Sequence, residues 1–403
     1  MIPLIASTIG VCILEFKLKL PWYIKILLPF TYYLFYQYTI VARSYCLIFP
    51  ALCYLAMLYP KRREKPIAYG LGLLFLAGIS LHMSLLSGFL FLLYLGEYVT
   101  SRWKDEKSLK SLFKEKKVCV MLFILAIFYC LIIVTLIPKE GIPTFFTNNK
   151  VTKLEKAIQV VGESLVSSSE SNQILNLFST IWMISITGIL LIRARKDRKI
   201  IIVFFPVFLF LTFFYCNQWH IGILTELIFF IWYILYQDRD PEKVQKFEKR
   251  FLQLSIIAIL SIQVIWNCQS LIGDIKNIYS QGQNMAIYLQ EKVEENKVIY
   301  GVDYSVTAIL PYFETNIFAN YPDPEKSFYH WGSNSGRKEK DSEIYAADAD
   351  IYVFSEVYYS NRKEIIGKLE EKGYQIKRLS SSTYFKNKPY ELSGYIFLEK
   401  KEN

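Results

Sequence analysis

Charge is what this chain has little of. Of its 403 residues only 20% are Asp, Glu, Lys or Arg, while 53% are hydrophobic and 16% aromatic. A soluble chain of this length carries about 25% charge and divides into two or three domains. The shortfall excludes an ordinary soluble protein. Histidine is scarcer still, at three residues. The seven cysteines all lie in or beside apolar blocks, the last being Cys268. No CxxC or His/Cys spacing is present, so neither a disulfide framework nor a zinc site is readable. Gly70-Leu71-Gly72 lies inside an apolar run without a strand–turn–helix frame, which excludes a nucleotide loop. No basic face with interleaved aromatics appears, and no nucleic-acid partner is expected.

What the chain does have is long uncharged blocks of transmembrane length. Spans are expected at Met1 to Phe16, Trp22 to Ile40 and Ser44 to Tyr59, then as two short helices within Ile67 to Val99. Further spans are expected at Val118 to Ile137, Ile174 to Ile192, Ile200 to Cys216, Ile221 to Tyr236 and Phe251 to Cys268. Basic segments follow alternate spans, most plainly Lys61 to Lys65, Arg102 to Lys117, Arg193 to Lys199 and Gln237 to Arg250. The positive-inside rule puts these in the cytoplasm and both chain ends outside. Pro138 to Gln173 is then an outer loop with a short interfacial helix near Val151 to Leu165. The glycines at 70, 72, 78 and 88 would let neighbouring helices approach closely.

From Gln269 the chain turns polar and slightly acidic, at a net charge of −3, so the residues before it carry +13 against the overall +10. Helices are expected at Gln283 to Asn296, Tyr304 to Phe313 and Asn361 to Lys372. Strands are expected at Lys297 to Val302, Thr315 to Ala319, Asp350 to Phe354, Tyr374 to Arg378 and Gly394 to Leu398. Asp303 reads as a cap for the helix after it. The fold class is therefore an α-helical multipass membrane protein of about ten spans, residues 1–268. A small extracytoplasmic α/β domain, residues 269–403, follows it.

The stretch Tyr36 to Tyr45 interrupts two apolar runs with Gln37, Arg43 and Ser44 among tyrosines. An arginine there must snorkel, find a partner or face an aqueous cavity. Arg43 is the one arginine this topology places at the outer face, as an anion contact or as a plain interfacial anchor. His82 and His220 fall at outer turns, as polar turn residues or as catalytic groups. Glu226 lies one and a half turns into a span, where a carboxylate is costly unless it is paired or faces a cavity. Trp219 and Trp331 suit either sugar stacking or interfacial packing.

The order Tyr36-Gln37-Tyr38, then Val41-Ala42-Arg43-Ser44-Tyr45, a basic loop and paired short helices with His82 at their turn resembles the GT-C superfamily. These are multipass, dolichyl-phosphate-mannose mannosyltransferase-like enzymes. The likeness covers most of the chain in architecture and Phe35 to Leu92 in motif, with Gln37 where an acidic residue would stand. It implies an inverting glycosyltransferase of the plasma (inner) membrane and cell envelope. The implied donor is a polyprenyl-phosphate sugar in the lipid bilayer, and the acceptor a glycan, lipid or protein. It assigns substrate contacts to Arg43, Gln37, Tyr38, Tyr45, His82, Trp219 and Trp331, with Glu226 and His220 as catalytic candidates. It names no cofactor and leaves a divalent metal open. In the superfamily the key carboxylate lies in the first outer loop. Here no acidic loop precedes Lys17, so either the chain begins further upstream or this member lacks that span. The other readings are a non-catalytic membrane subunit and a polysaccharide polymerase or transporter.

Overall fold

The structure, a computed structural model, describes residues 2–40, 44–106, 115–136, 153–166, 172–214, 216, 218–276, 280–321, 340–356, 359–380, 384–385, 388–389 and 394–400. The chain divides into two compact units, an apolar helical one up to Cys268 and a second from Gln269.

In the first unit the helices are α1 (Ile2–Lys17), α2 (Trp22–Leu27), α3 (Ile48–Leu58), α4 (Pro66–Ala77), α5 (Leu81–Glu106) and α6 (Lys116–Leu136). Then come α7 (Lys153–Leu165), α8 (Gln173–Arg193), α9 (Phe204–Phe213), α10 (Gln218–Asp238) and α11 (Lys246–Lys276). Among the described residues five of these, α5, α6, α8, α10 and α11, are long and apolar enough to cross a membrane. Of the apolar window of α10, 83% is buried, which makes it the central helix of the unit.

Several segments expected as single spans are broken into shorter elements. The segment from Trp22 runs through α2, a 3-10 turn at Leu28–Phe30 and a π-helix at Tyr32–Ile40. Pro29 has no N–H to give the helical ladder, so the chain breaks there. The Thr31 hydroxyl donates to Leu28 O at 2.8 Å, and the helix restarts with wider turns. Wide turns spread the tyrosine rings outward, and Tyr32, Tyr33, Tyr36 and Tyr38 are all buried. A 3-10 turn likewise precedes α3 at Ser44–Leu47, and another precedes α9 at Asp197–Val203.

The turn between α4 and α5 lies at Gly78 to Ser80, slightly before the expected Ser80 to Ser84, and α5 runs on into the segment expected as a charged loop. The Ser84 hydroxyl donates back to Ala77 O and fastens that turn. A methyl group on Gly72 would come within 2.8 Å of Leu55, so here the helices do approach closely; at Gly78 and Gly88 the neighbours stand at ordinary distances. Helix α7 forms at the expected place but is not a surface helix. Residues Val160 to Leu165 are buried all round, and α7 packs against α8, α9 and α10.

The basic segments gather at one end of this unit. Arg62 pairs with Glu97 and Asp197, which joins the turn after α3 to the end of α5 and the segment after α8. One carboxylate oxygen of Asp238 accepts from the backbone N–H groups of Arg195, Lys196 and Asp197. Arg193 grips Glu248 with two nitrogens, and Gln237 donates to Lys19 O.

The second unit holds α12 (Gly282–Glu294), α13 (Asp341–Ala346) and α14 (Tyr359–Glu371) around strands β1 (Ile299–Val302), β2 (Ile351–Ser355), β3 (Tyr374–Leu379), β4 (Tyr384–Phe385), β5 (Lys388–Pro389) and β6 (Tyr395–Lys400). The main sheet has the order β1-β2-β6-β3, with β1 and β2 parallel and β6 antiparallel to both neighbours. The pairing alternates in face, as a two-sided core requires. Met285, Leu289 and Phe318 join Ile351 and Val353 on one side, while Ile365, Leu369 and Ile344 join Tyr352 and Phe354 on the other. The strand expected at Thr315 to Ala319 is reduced to one bridge between Ile299 and Phe318. Asp303 does not cap the 3-10 helix Tyr304–Tyr312; its carboxylate pairs with Arg362 at 3.0 Å.

Candidate functional site

Three stretches far apart in sequence meet at the end of α10 away from the basic segments. The π-helix brings Gln37 and Tyr38, the 3-10 turn brings Tyr45, and the first turn of α5 brings His82. The first turn of α10 adds Trp219 and His220. Gln37 Nε2 donates to Trp219 O at 2.8 Å, and the Tyr38 hydroxyl donates to the same oxygen at 3.1 Å. His220 Nε2 and the Tyr45 hydroxyl share a hydrogen bond of 3.0 Å. The rings of His82 and His220 lie 4.6 Å apart between centroids, and those of Tyr38 and Tyr45 lie 5.6 Å apart. Gln37, Tyr38, His82 and His220 are each buried.

Local backbone makes this meeting possible. Gly222, one turn beyond Trp219, leaves room for the π-helix: a methyl group there would fall 2.6 Å from Tyr33 Cδ1 and 2.7 Å from the Tyr38 oxygen. The side chain of Gln37 is half used, since its Oε1 is buried without a hydrogen-bond partner among the described residues. What the arrangement supplies is a hydroxyl–imidazole pair and an amide held rigidly in a protein interior. That is suitable for moving a proton and for ordering a polar substrate group.

Glu226 stands further along the same helix, within electrostatic reach of the Tyr38 hydroxyl. It stands six residues beyond His220, about 9 Å further along the helix axis. Neither of its buried carboxylate oxygens has a hydrogen-bond partner among the described residues. A carboxyl group so placed needs a cation, a donor or a proton. It lines a cavity of about 380 Å3 between α1, α3, α10 and α11, and Gln37, Tyr45, His82, Trp219 and His220 do not line that cavity. Arg43 and Trp331 lie outside the described residues. Among the described residues no group of three or more His, Cys, Asp or Glu side chains is gathered to hold a metal ion.

A second polar set, which the sequence reading passed over, holds the buried end of α7. Tyr33 donates to Glu163 O at 2.6 Å, Thr225 to Ser164 O at 2.6 Å, and Gln263 to Leu165 O at 3.1 Å. A helix ends with unsatisfied carbonyls, and inside an apolar unit only side chains can meet them. The available signal was Thr225 and Gln263 standing inside otherwise apolar spans.

Compared with known protein families, curated proteins and solved structures, the chain matches none.

Proposed function

We propose that this chain is a multipass membrane glycosyltransferase-like protein, transferring a sugar from a polyprenyl-phosphate donor to an extracytoplasmic acceptor. The observation that carries the reading is the convergence of Gln37, Tyr38, Tyr45, His82, Trp219 and His220. All six were expected as site residues from positions scattered over 180 residues of sequence, and they belong to one contiguous cluster. In the proposed mechanism His220, oriented by Tyr45, takes the proton of the acceptor hydroxyl, while His82 and Gln37 order the substrates. Arg43, in the short stretch between the π-helix and Tyr45, contacts the phosphate, for which a planar guanidinium is well suited.

The topology belonging to this reading has ten crossings. Five are the long helices, and five are α1, α4 and the composite segments ending in the π-helix, α3 and α9. The basic end faces the cytoplasm, and the cluster and the second unit face the outside. The common location of the basic segments supports it.

The test is transfer from a radiolabelled polyprenyl-phosphate sugar in membranes carrying the full chain. His220→Ala lowers turnover roughly 100-fold or more, as loss of a general base does, and Tyr45→Phe lowers it less. Full turnover by His220→Ala at wild-type expression refutes the site. A second reading, binding without transfer, draws on the position of Glu226 away from the cluster. It predicts donor retention by the wild-type chain with no turnover.

A further inference from the structure

The cavity that holds Glu226 lies further along α10 than the cluster, and no residue of the cluster lines it. Its walls are apolar, from Leu14, Leu18 and Leu28 through Leu52, Phe230 and Leu252. Along α10 it runs from Thr225 to Arg239, about 20 Å at the helical rise of ~1.5 Å per residue. Its two ends differ. Thr31, Thr225 and Glu226 at one end are buried, whereas Pro241 and Lys249 at the other are exposed, so it opens at the basic end. The mouth carries Arg239 and Lys249, and the only carboxylate in the lining is Glu226 at the floor.

The mouth cations differ from the arginines around them. Arg62, Arg193 and Arg195 are each paired with a carboxylate. Arg239 instead lies over the Tyr236 ring at 3.2 Å and donates to Tyr236 O from Nη1 at 3.0 Å. Neither Arg239 nor Lys249 has a carboxylate partner among the described residues. A polar floor, apolar walls and two unneutralised cations at an open rim complement one kind of molecule. It has a phosphate head, an apolar chain, and a length near that of one leaflet.

We infer that the cavity holds one chain of an anionic phospholipid from the leaflet on the basic side, its phosphate on Arg239 and Lys249. One leaflet is about 15 Å of hydrocarbon, half of a core of ~30 Å. A chain of that length fills the cavity from its mouth and ends just short of Glu226. The unpartnered carboxyl group then acts as a polar floor, because driving a methylene chain against it would leave it further from any donor or water.

The experiment uses the full chain, stripped of lipid in neutral detergent and offered phosphatidylglycerol, phosphatidylcholine or inorganic phosphate. Native mass spectrometry counts the bound molecules. Phosphatidylglycerol is retained, and phosphatidylcholine and inorganic phosphate are not. At ~1 kcal/mol per basic residue near a lipid surface, Arg239→Gln/Lys249→Gln weakens retention roughly tenfold to thirtyfold. The exposed single variant Lys249→Gln, which cannot disturb packing, shows part of that loss. Occupancy of the cavity is read separately by dicyclohexylcarbodiimide, an apolar reagent for buried carboxyl groups: bound phosphatidylglycerol slows modification of Glu226. The proposal is overturned if phosphatidylcholine binds as well, if the double variant binds like wild type, or if Glu226 is modified equally with and without lipid.

Discussion

Arg62→Ala tests how the basic end is held together. Arg62 donates to Glu97 from Nε at 3.2 Å and from Nη2 at 2.9 and 3.1 Å, and to Asp197 from Nη2 at 2.8 Å. It also donates to Tyr59 O at 2.7 Å and stacks on the Tyr59 ring at 3.9 Å. The three charged side chains are only 11%, 14% and 19% exposed. Removing the cation leaves two half-desolvated carboxylates facing each other, with Arg63, 4.0 Å from Glu97 and mostly exposed, as a poor substitute. Truncating one partner of a fully buried pair costs about 3–5 kcal/mol. Residual solvent access here reduces that to roughly 2–3 kcal/mol. At about 2 °C per kcal/mol for a chain of this size, the thermal midpoint in detergent falls by about 4–6 °C. Arg62→Lys keeps the charge but not the fork, and falls about half as far. The assay is a double-mutant cycle with Asp197→Asn, which isolates a coupling of about 1 kcal/mol or more. A midpoint for Arg62→Ala within 1 °C of wild type refutes the reasoning.

Other perturbations probe each unit in turn. Gly222→Ala places a methyl group against the buried rings of Tyr33 and Tyr38, so overpacking of about 1–3 kcal/mol outweighs the helix-propensity gain of ~1 kcal/mol; Gly188→Ala, where nothing lies within 4 Å, is neutral or stabilising, and thermal midpoints of opposite sign are the readout. In the second unit Glu399 lies beside Lys377 at 2.6 Å, Tyr288 at 2.8 Å and Lys292 at 3.4 Å. Burial pushes its carboxyl up, but these partners outweigh burial and hold it below the usual carboxylate range. A lowered folded value means the stabilisation is present above the unfolded pKa of about 4.3 and is lost as pH falls through the lowered value. Glu399→Gln therefore costs about 1 kcal/mol at pH 7 and nothing near pH 3, by hydrogen-exchange protection of β3 and β6; an equal loss at both pH values contradicts the assignment.

The sequence alone determined that the first 268 residues are an apolar helical unit and the rest a small α/β unit. Hydrophobic run length and strand alternation are local properties, readable without knowing what packs on what. Arg43, His82, Trp219, His220, Glu226 and Trp331 stood out as polar or amphipathic residues, most of them beside apolar runs, and the family resemblance added Gln37, Tyr38 and Tyr45. The assembly of Gln37, Tyr38, Tyr45, His82, Trp219 and His220 into one cluster was a tertiary decision, made by the π-helix after Pro29 and by the room at Gly222. Neither leaves a periodic trace in sequence, since wide turns and close approach depend on what lies opposite. Glu226 shows the limit most plainly. Its distance of six residues from His220 suggested one site; the helix separates the two by about 9 Å along its axis, and packing of α1, α3 and α11 sets Glu226 in a cavity that the cluster residues do not line, though it stays within electrostatic reach of Tyr38. The burial of α7 was hidden for the same reason, because partners for its terminal carbonyls come from Tyr33, Thr225 and Gln263, each on a different helix. Local composition told which residues are unusual, and only the packing of distant helices decided which of them face each other.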